Sequence, residues 1–131
     1  MHPKQEELEQ RLDNMCMALD NYLEDQYSDI FPLHPNRPKR GAGANPSYDG
    51  VFATSISFTL GYGSKFGRGY LVVIDVRTLQ FVSSAQREEI NNRAFLFIQR
   101  ALPVSFPERK LEIVRDGSLL KIIGDFSLGD V

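Results

Sequence analysis

The sequence predicts an α+β fold: a single two-layer domain with a four-stranded antiparallel sheet and two helices, in the order α-β-β-α-β-β. Three observations carry this prediction. Segments near residues 3–27 and 83–102 repeat apolar residues at helical spacing, whereas four shorter runs alternate at period two. Those four runs fall into two pairs, each joined by a glycine-bearing turn, the pattern of two hairpins rather than of parallel crossover units. At 131 residues the chain is long enough for one hydrophobic core and short for two. It divides into an acidic amphipathic helix over 1–27, a Pro/Gly-rich loop over 28–50 and a ββαββ core over 51–131.

In the first helix Leu8, Leu12, Met15, Leu19 and Tyr22 recur at steps of four, three, four and three, with Cys16 and Leu23 widening the stripe. Pro3 suits a first helical turn, where a missing N–H costs nothing, and Glu6, Glu7 and Glu9 lie near the positive end of the helix dipole. The alternation of four and three also suits a coiled-coil seam, so a dimer built through this helix stands beside packing on the sheet. Residues 28–50 hold four prolines and three glycines without any period, which predicts a long loop whose Ile30, Phe31 and Leu33 pin its start to the core.

Val51 to Leu60 sets Phe52, Ile56, Phe58 and Leu60 on one face and Ala53, Ser55, Ser57 and Thr59 on the other, a half-buried strand. Tyr70 to Arg77 matches it with Tyr70, Val72, Ile74 and Val76, while Leu71 and Val73 make its opposite face unusually apolar. Between them, Leu60 to Tyr70 carries four glycines, two cations and three aromatics, a hairpin tip suited to contact. Ser83 and Gln86 have capping-box spacing, Ile90, Ala94, Phe97, Ile98, Ala101 and Leu102 form an apolar stripe, and Pro103 is expected to end this second helix.

In the last hairpin, Asp116-Gly117 predicts a type I′ turn that would pair Arg115 with Ser118, Ile113 with Leu120 and Leu111 with Ile122. Glu112 would then face Lys121 as a cross-strand ion pair worth about 0.2–1 kcal/mol.

Charge is uneven along the chain. Residues 1–30 hold two cations against eight anions, residues 31–70 hold five against one, and the remainder holds eight of each. Such asymmetry points either to a partner of opposite sign or to a solvated acidic helix that precedes a basic loop. No apolar run approaches the length needed to span a bilayer, the first residues are too polar for a secretory signal, and the single Cys16 suits a reducing compartment. A cytoplasmic protein without membrane association is expected.

Chemistry-bearing motifs are sparse. The glycine tip lacks Walker A spacing and is followed by a strand, so no helix N-terminus is offered to a phosphate or dinucleotide. His2, His34 and Cys16 are too scattered for a zinc set, and Cys16 on a helix stripe reads as a small buried thiol. No catalytic residue, cofactor or metal is therefore expected, and an enzyme is the less favoured reading.

Three functional readings remain. The first is a non-enzymatic module acting through protein–protein contacts or self-association. Its interface would be Leu71, Val73, Val114, Leu119 and Ile123, a sheet face that two helices on the opposite side leave uncovered. The second is single-stranded nucleic-acid binding: Arg37, Lys39, Arg40, Lys65 and Arg68 neutralise phosphates while Tyr62, Phe66 and Tyr70 stack on bases. A chain pI of about 5.7 speaks against that reading. The third is a metal-dependent hydrolase in which Asp75, Glu112 and Lys121 share one sheet face.

Overall fold

The computed structural model describes residues 3–31, 50–61 and 65–124. Its elements are α1 (Pro3–Tyr27), β1 (Phe52–Thr59), β2 (Gly69–Val76), α2 (Ser84–Ser105), β3 (Leu111–Asp116) and β4 (Leu119–Gly124). They form one α+β domain with a four-stranded antiparallel sheet, as the alternation predicts. Strand order is β1-β2-β4-β3, so the second strand of each hairpin is central and β1 and β3 are the edges.

The helical stripe of α1 faces the sheet. Leu8, Leu12, Met15, Leu19 and Leu23 are all buried, and Ile90, Ala94, Ile98 and Leu102 of α2 join them in one cluster with Phe52, Tyr70, Val72, Ile113, Leu120 and Ile122. Every strand residue in that set lies on one face, because side chains alternate along a strand. The two helices run antiparallel: Tyr22 stacks on Phe97 at 5.2 Å between ring centroids, Tyr27 donates to Glu89 at 2.9 Å, and Arg11 reaches the Ser105 carbonyl at 3.1 Å. Phe31 is buried against Tyr27 and Phe52 and closes one end of the core, as expected of the loop's start. Ile30 is instead 46% exposed, and Leu33 lies outside the described residues.

The capping box forms as the spacing predicts: Gln86 N donates to Ser83 Oγ at 3.1 Å and Ser83 N to Gln86 Oε1 at 2.9 Å. Pro103 does not end α2. The helix continues to Ser105, and Phe106 N donates to the Leu102 carbonyl at 2.8 Å. Pro103 removes one bond to, and crowds, a single carbonyl, that of Gln99, and this residue is on the solvent side where water can take the place of the lost donor.

The β1–β2 hairpin pairs Phe52 with Val76 through Thr59 with Gly69. The β3–β4 register differs from the one the Asp-Gly dipeptide predicts. Asp116 pairs with Leu119, so the two turn residues are Gly117 and Ser118, and Ile113 faces Ile122. Gly117 alone has positive φ, +65°, which places it first in a type II′ turn, whereas a type I′ turn needs positive φ at both positions. The shift moves each residue's partner along by two, and a two-residue shift keeps every side chain on its face. Ile113, Leu120 and Ile122 therefore remain in the core, but Glu112 meets Ile123 and Lys121 meets Val114. The expected Glu112–Lys121 pair does not form.

Candidate functional site

The sheet face away from the helices carries the five residues expected at an interface. Leu71 and Val73 of β2, Val114 of β3 and Leu119 and Ile123 of β4 all point to it, interleaved with Ser55 and Ser57 of β1 and with Asp75, Glu112 and Asp116. Val73 is 48% and Leu119 45% exposed, whereas Leu71, Val114 and Ile123 are half-buried. Val73 and Leu119 are neighbours and line a cavity of about 140 Å³ where β2 runs on beyond its pairing with β4.

The middle of this face is occupied by a charge. Lys121 lies between Leu71 and Val114 yet is only 1% exposed, because its Nζ donates to the Gly67 carbonyl and approaches Asp116 Oδ2 at 3.5 Å. The described part of the glycine tip thus folds back over the sheet, and its Gly67 roofs the lysine. The fold-back needs glycine twice: Gly61 and Gly67 have φ of +76° and +71°, and a Cβ on Gly61 would fall inside the Gly67 carbonyl. The sequence signal for this contact is a lone cation inside the apolar run Leu119-Leu-Lys-Ile-Ile.

Of the basic and aromatic residues assigned to nucleic-acid binding, Arg37, Lys39, Arg40 and Tyr62 lie outside the described residues. Lys65 and Arg68 are exposed, and Lys65 Nζ sits 5.0 Å from the centroid of the half-buried Phe66 ring. Tyr70 is not available for stacking on a base. It is buried in the core, edge-on to Phe58, and its hydroxyl donates to Glu9 at 3.1 Å.

Asp75, Glu112 and Lys121 do share the outer face, but at different places along it. Asp75 sits in β2 past the Leu119 end of β4 and engages Arg77 at 3.2 Å, whereas Glu112 lies at the opposite end beside Ile123. Among the described residues no three His, Cys, Asp or Glu side chains are grouped to hold a metal ion. Cys16 is buried, and burial followed by the nearby Asp20 and Asp13 charges pushes its thiol up to about 12. At neutral pH it is a thiol and a poor nucleophile.

Two further features were not legible in the sequence. Asp20, in the buried stripe of α1 at 2% exposure, accepts from Thr54 N at 2.8 Å and Thr54 Oγ1 at 2.7 Å. One turn on, Glu24 accepts from Val51 N at 3.0 Å and Phe52 N at 3.4 Å. Two carboxylates of α1 thus hold amides at and just before the start of edge strand β1, those of Phe52 and Thr54 being outward ones; the hint was an acid between Leu19 and Leu23. The second feature is an open groove of about 650 Å³ along the helix pair, floored by Tyr22, Phe97 and Ala101 and flanked by Arg93 and Arg100, with Leu96 and Val104 exposed beside it. Among the described residues no helix is long and apolar enough to cross a membrane.

Comparison with known proteins gives relatives but no activity. No solved structure matches the chain. A protein of Borreliella burgdorferi described as "Uncharacterized protein" is 43% identical over 120 residues, which is 92% of this chain and 94% of the relative. A family model described as "Uncharacterised protein" matches residues 3–124, all six elements of the fold, and the chain belongs to that family.

Proposed function

We propose that this chain is a non-enzymatic binding module that acts through protein–protein contacts or self-association. The observation that carries the reading is the outer sheet face, where Val73 and Leu119 stand adjacent and nearly half exposed, with Leu71 and Val114 beside them and Ile123 on the far side of the roofed Lys121. Exposed apolar side chains rimmed by polar groups, here Ser55, Ser57, Asp75 and Glu112, are the ordinary mark of a contact site. A cytoplasmic setting belongs to the same reading and is supported by the single reduced Cys16.

The test is site-specific photo-cross-linking from positions 73 and 119. Cross-links to a second protein chain, lost in the double variant Val73→Glu/Leu119→Glu, are expected. A folded protein that yields none from either position would defeat the reading. The exposed positions of Lys65 and Arg68 around Phe66 favour a second reading, single-stranded nucleic-acid binding. Anisotropy of a fluorescent oligonucleotide that rises with protein and falls steeply with salt would put that reading first; flat anisotropy at low salt would remove it.

A further inference from the structure

Strand β1 is an edge whose two halves differ. Its first half is clasped: Asp20 and Glu24 take the amides of Thr54 and Phe52. Its second half is not covered by α1, because the helix crosses the sheet obliquely. Near its start α1 lies over β2, where Glu9 meets Tyr70, and only its later turns reach the β1 edge. Phe58 is accordingly 51% and Leu60 55% exposed. Main-chain direction follows by parity. Arg77 N donates to the Val51 carbonyl, so odd residues of β1 bond to β2, and the even residues Ile56 and Phe58 direct N–H and C=O outward as Thr54 does.

The residues of β1, Phe52-Ala-Thr-Ser-Ile-Ser-Phe-Thr59, include no charge and no proline, the devices that keep an edge from pairing. They are also self-complementary about Ser57: Ile56 balances Phe58, and Ser55 balances Thr59. We propose that two copies of this chain pair antiparallel through β1, with Ser57 facing Ser57 of the second copy on the two-fold axis. Ile56 and Phe58 of the opposite copy then exchange both main-chain bonds, four in all by symmetry, and their side chains meet on the helix side. The result is one continuous eight-stranded sheet. Registers centred on Ser55 or Ile56 need the Thr54 amide, which Asp20 already holds. A register centred on Phe58 needs Leu60, which lies beyond the end of the strand. The clasp therefore selects the register as well as shortening the edge.

This inference names the second copy within the self-association arm of the proposed function; it uses the main-chain edge of β1, away from Val73 and Leu119, and shares with the outer face only the rim residue Ser57. Ser57 is exposed on the outer face, so charging it leaves the monomer's packing intact. Sedimentation velocity over a range of concentrations is expected to show a dimer for the native chain and a loss of dimer for Ser57→Lys and for Ser57→Glu, each alone. Mixing the two variants is expected to restore it, since opposite charges then face each other across the axis. Amide exchange at Ile56 and Phe58 should slow as concentration rises. A monomer at every concentration overturns the proposal, as does a dimer that survives Ser57→Lys. Constant protection of both amides in a monomer overturns it too, by showing the edge covered from within the chain. If Val73→Glu rather than Ser57→Lys abolishes the dimer, the edge proposal fails while the outer-face reading stands.

Discussion

Replacing Asp20 by alanine should be among the more damaging single changes outside the apolar core. The carboxylate is 2% exposed and accepts two hydrogen bonds from Thr54, at 2.8 Å from the amide and 2.7 Å from the hydroxyl. A hydrogen bond to a charged group contributes about 1.5–3 kcal/mol, so the gross loss is about 3–6 kcal/mol. Removing a buried charge recovers part of its desolvation cost, which brings the expected net loss to about 2–4 kcal/mol. For a domain of this size that is a fall in Tm of roughly 10 °C. Asp20→Asn keeps one oxygen for the Thr54 amide and should lose about half as much. Urea denaturation at neutral pH, with the exposed Asp25→Ala as a control expected within about 0.5 kcal/mol of the parent, measures all three. An Asp20→Ala variant no less stable than the control would show that α1 does not clasp the edge of β1, and the register argument for self-pairing would lose its basis.

Two further outcomes follow from local geometry and titration. Gly117→Ala should cost about 1–2 kcal/mol by urea denaturation, because φ of +65° is strained for a side chain although the space around it is open; no loss would contradict the type II′ turn. Stability should be flat from about pH 7 to about pH 9 and then fall towards pH 12 in an alkaline titration. Burial pushes Cys16, Tyr27 and Tyr70 each up to about 12, with hydrogen bonds to Glu89 and Glu9 adding to the effect on the tyrosines, against ordinary values of 9.0 for the thiol and 10.0 for the phenols. The unfolded chain therefore releases these protons first, and folding is penalised where the unfolded state binds fewer. A flat profile through that window would contradict the burial of these groups.

Much of the fold was legible because it rests on short-range pattern. The stripe from Leu8 to Leu23 marks α1 to the residue, Pro3 to Tyr27, and the Ser83–Gln86 box marks the start of α2. Alternation in residues 51–60 and 70–77 places β1 and β2 within one residue of their ends and sorts Leu71 and Val73 onto the outer face. The last hairpin is instructive: hydrophobic alternation assigned the right faces, but the turn dipeptide selected the wrong register. Registers two residues apart bury the same side chains, so the pattern is blind to the difference, and the choice falls to the geometry at Gly117 and Ser118.

The candidate site was legible only where a face follows from parity. Sequence by itself determined the elements, their order and the apolar character of the outer sheet face, since each depends on spacing within about a dozen residues. Tertiary structure alone decided that β4 lies beside β2, that Gly67 folds back onto Lys121, and that Asp20 and Glu24 close half of the β1 edge. Each of those contacts joins residues 27 to 54 positions apart, and each trades the solvation of a charge or a main-chain group for one specific partner. Periodicity carries no information about which partner is chosen; the packing of α1 across the sheet does.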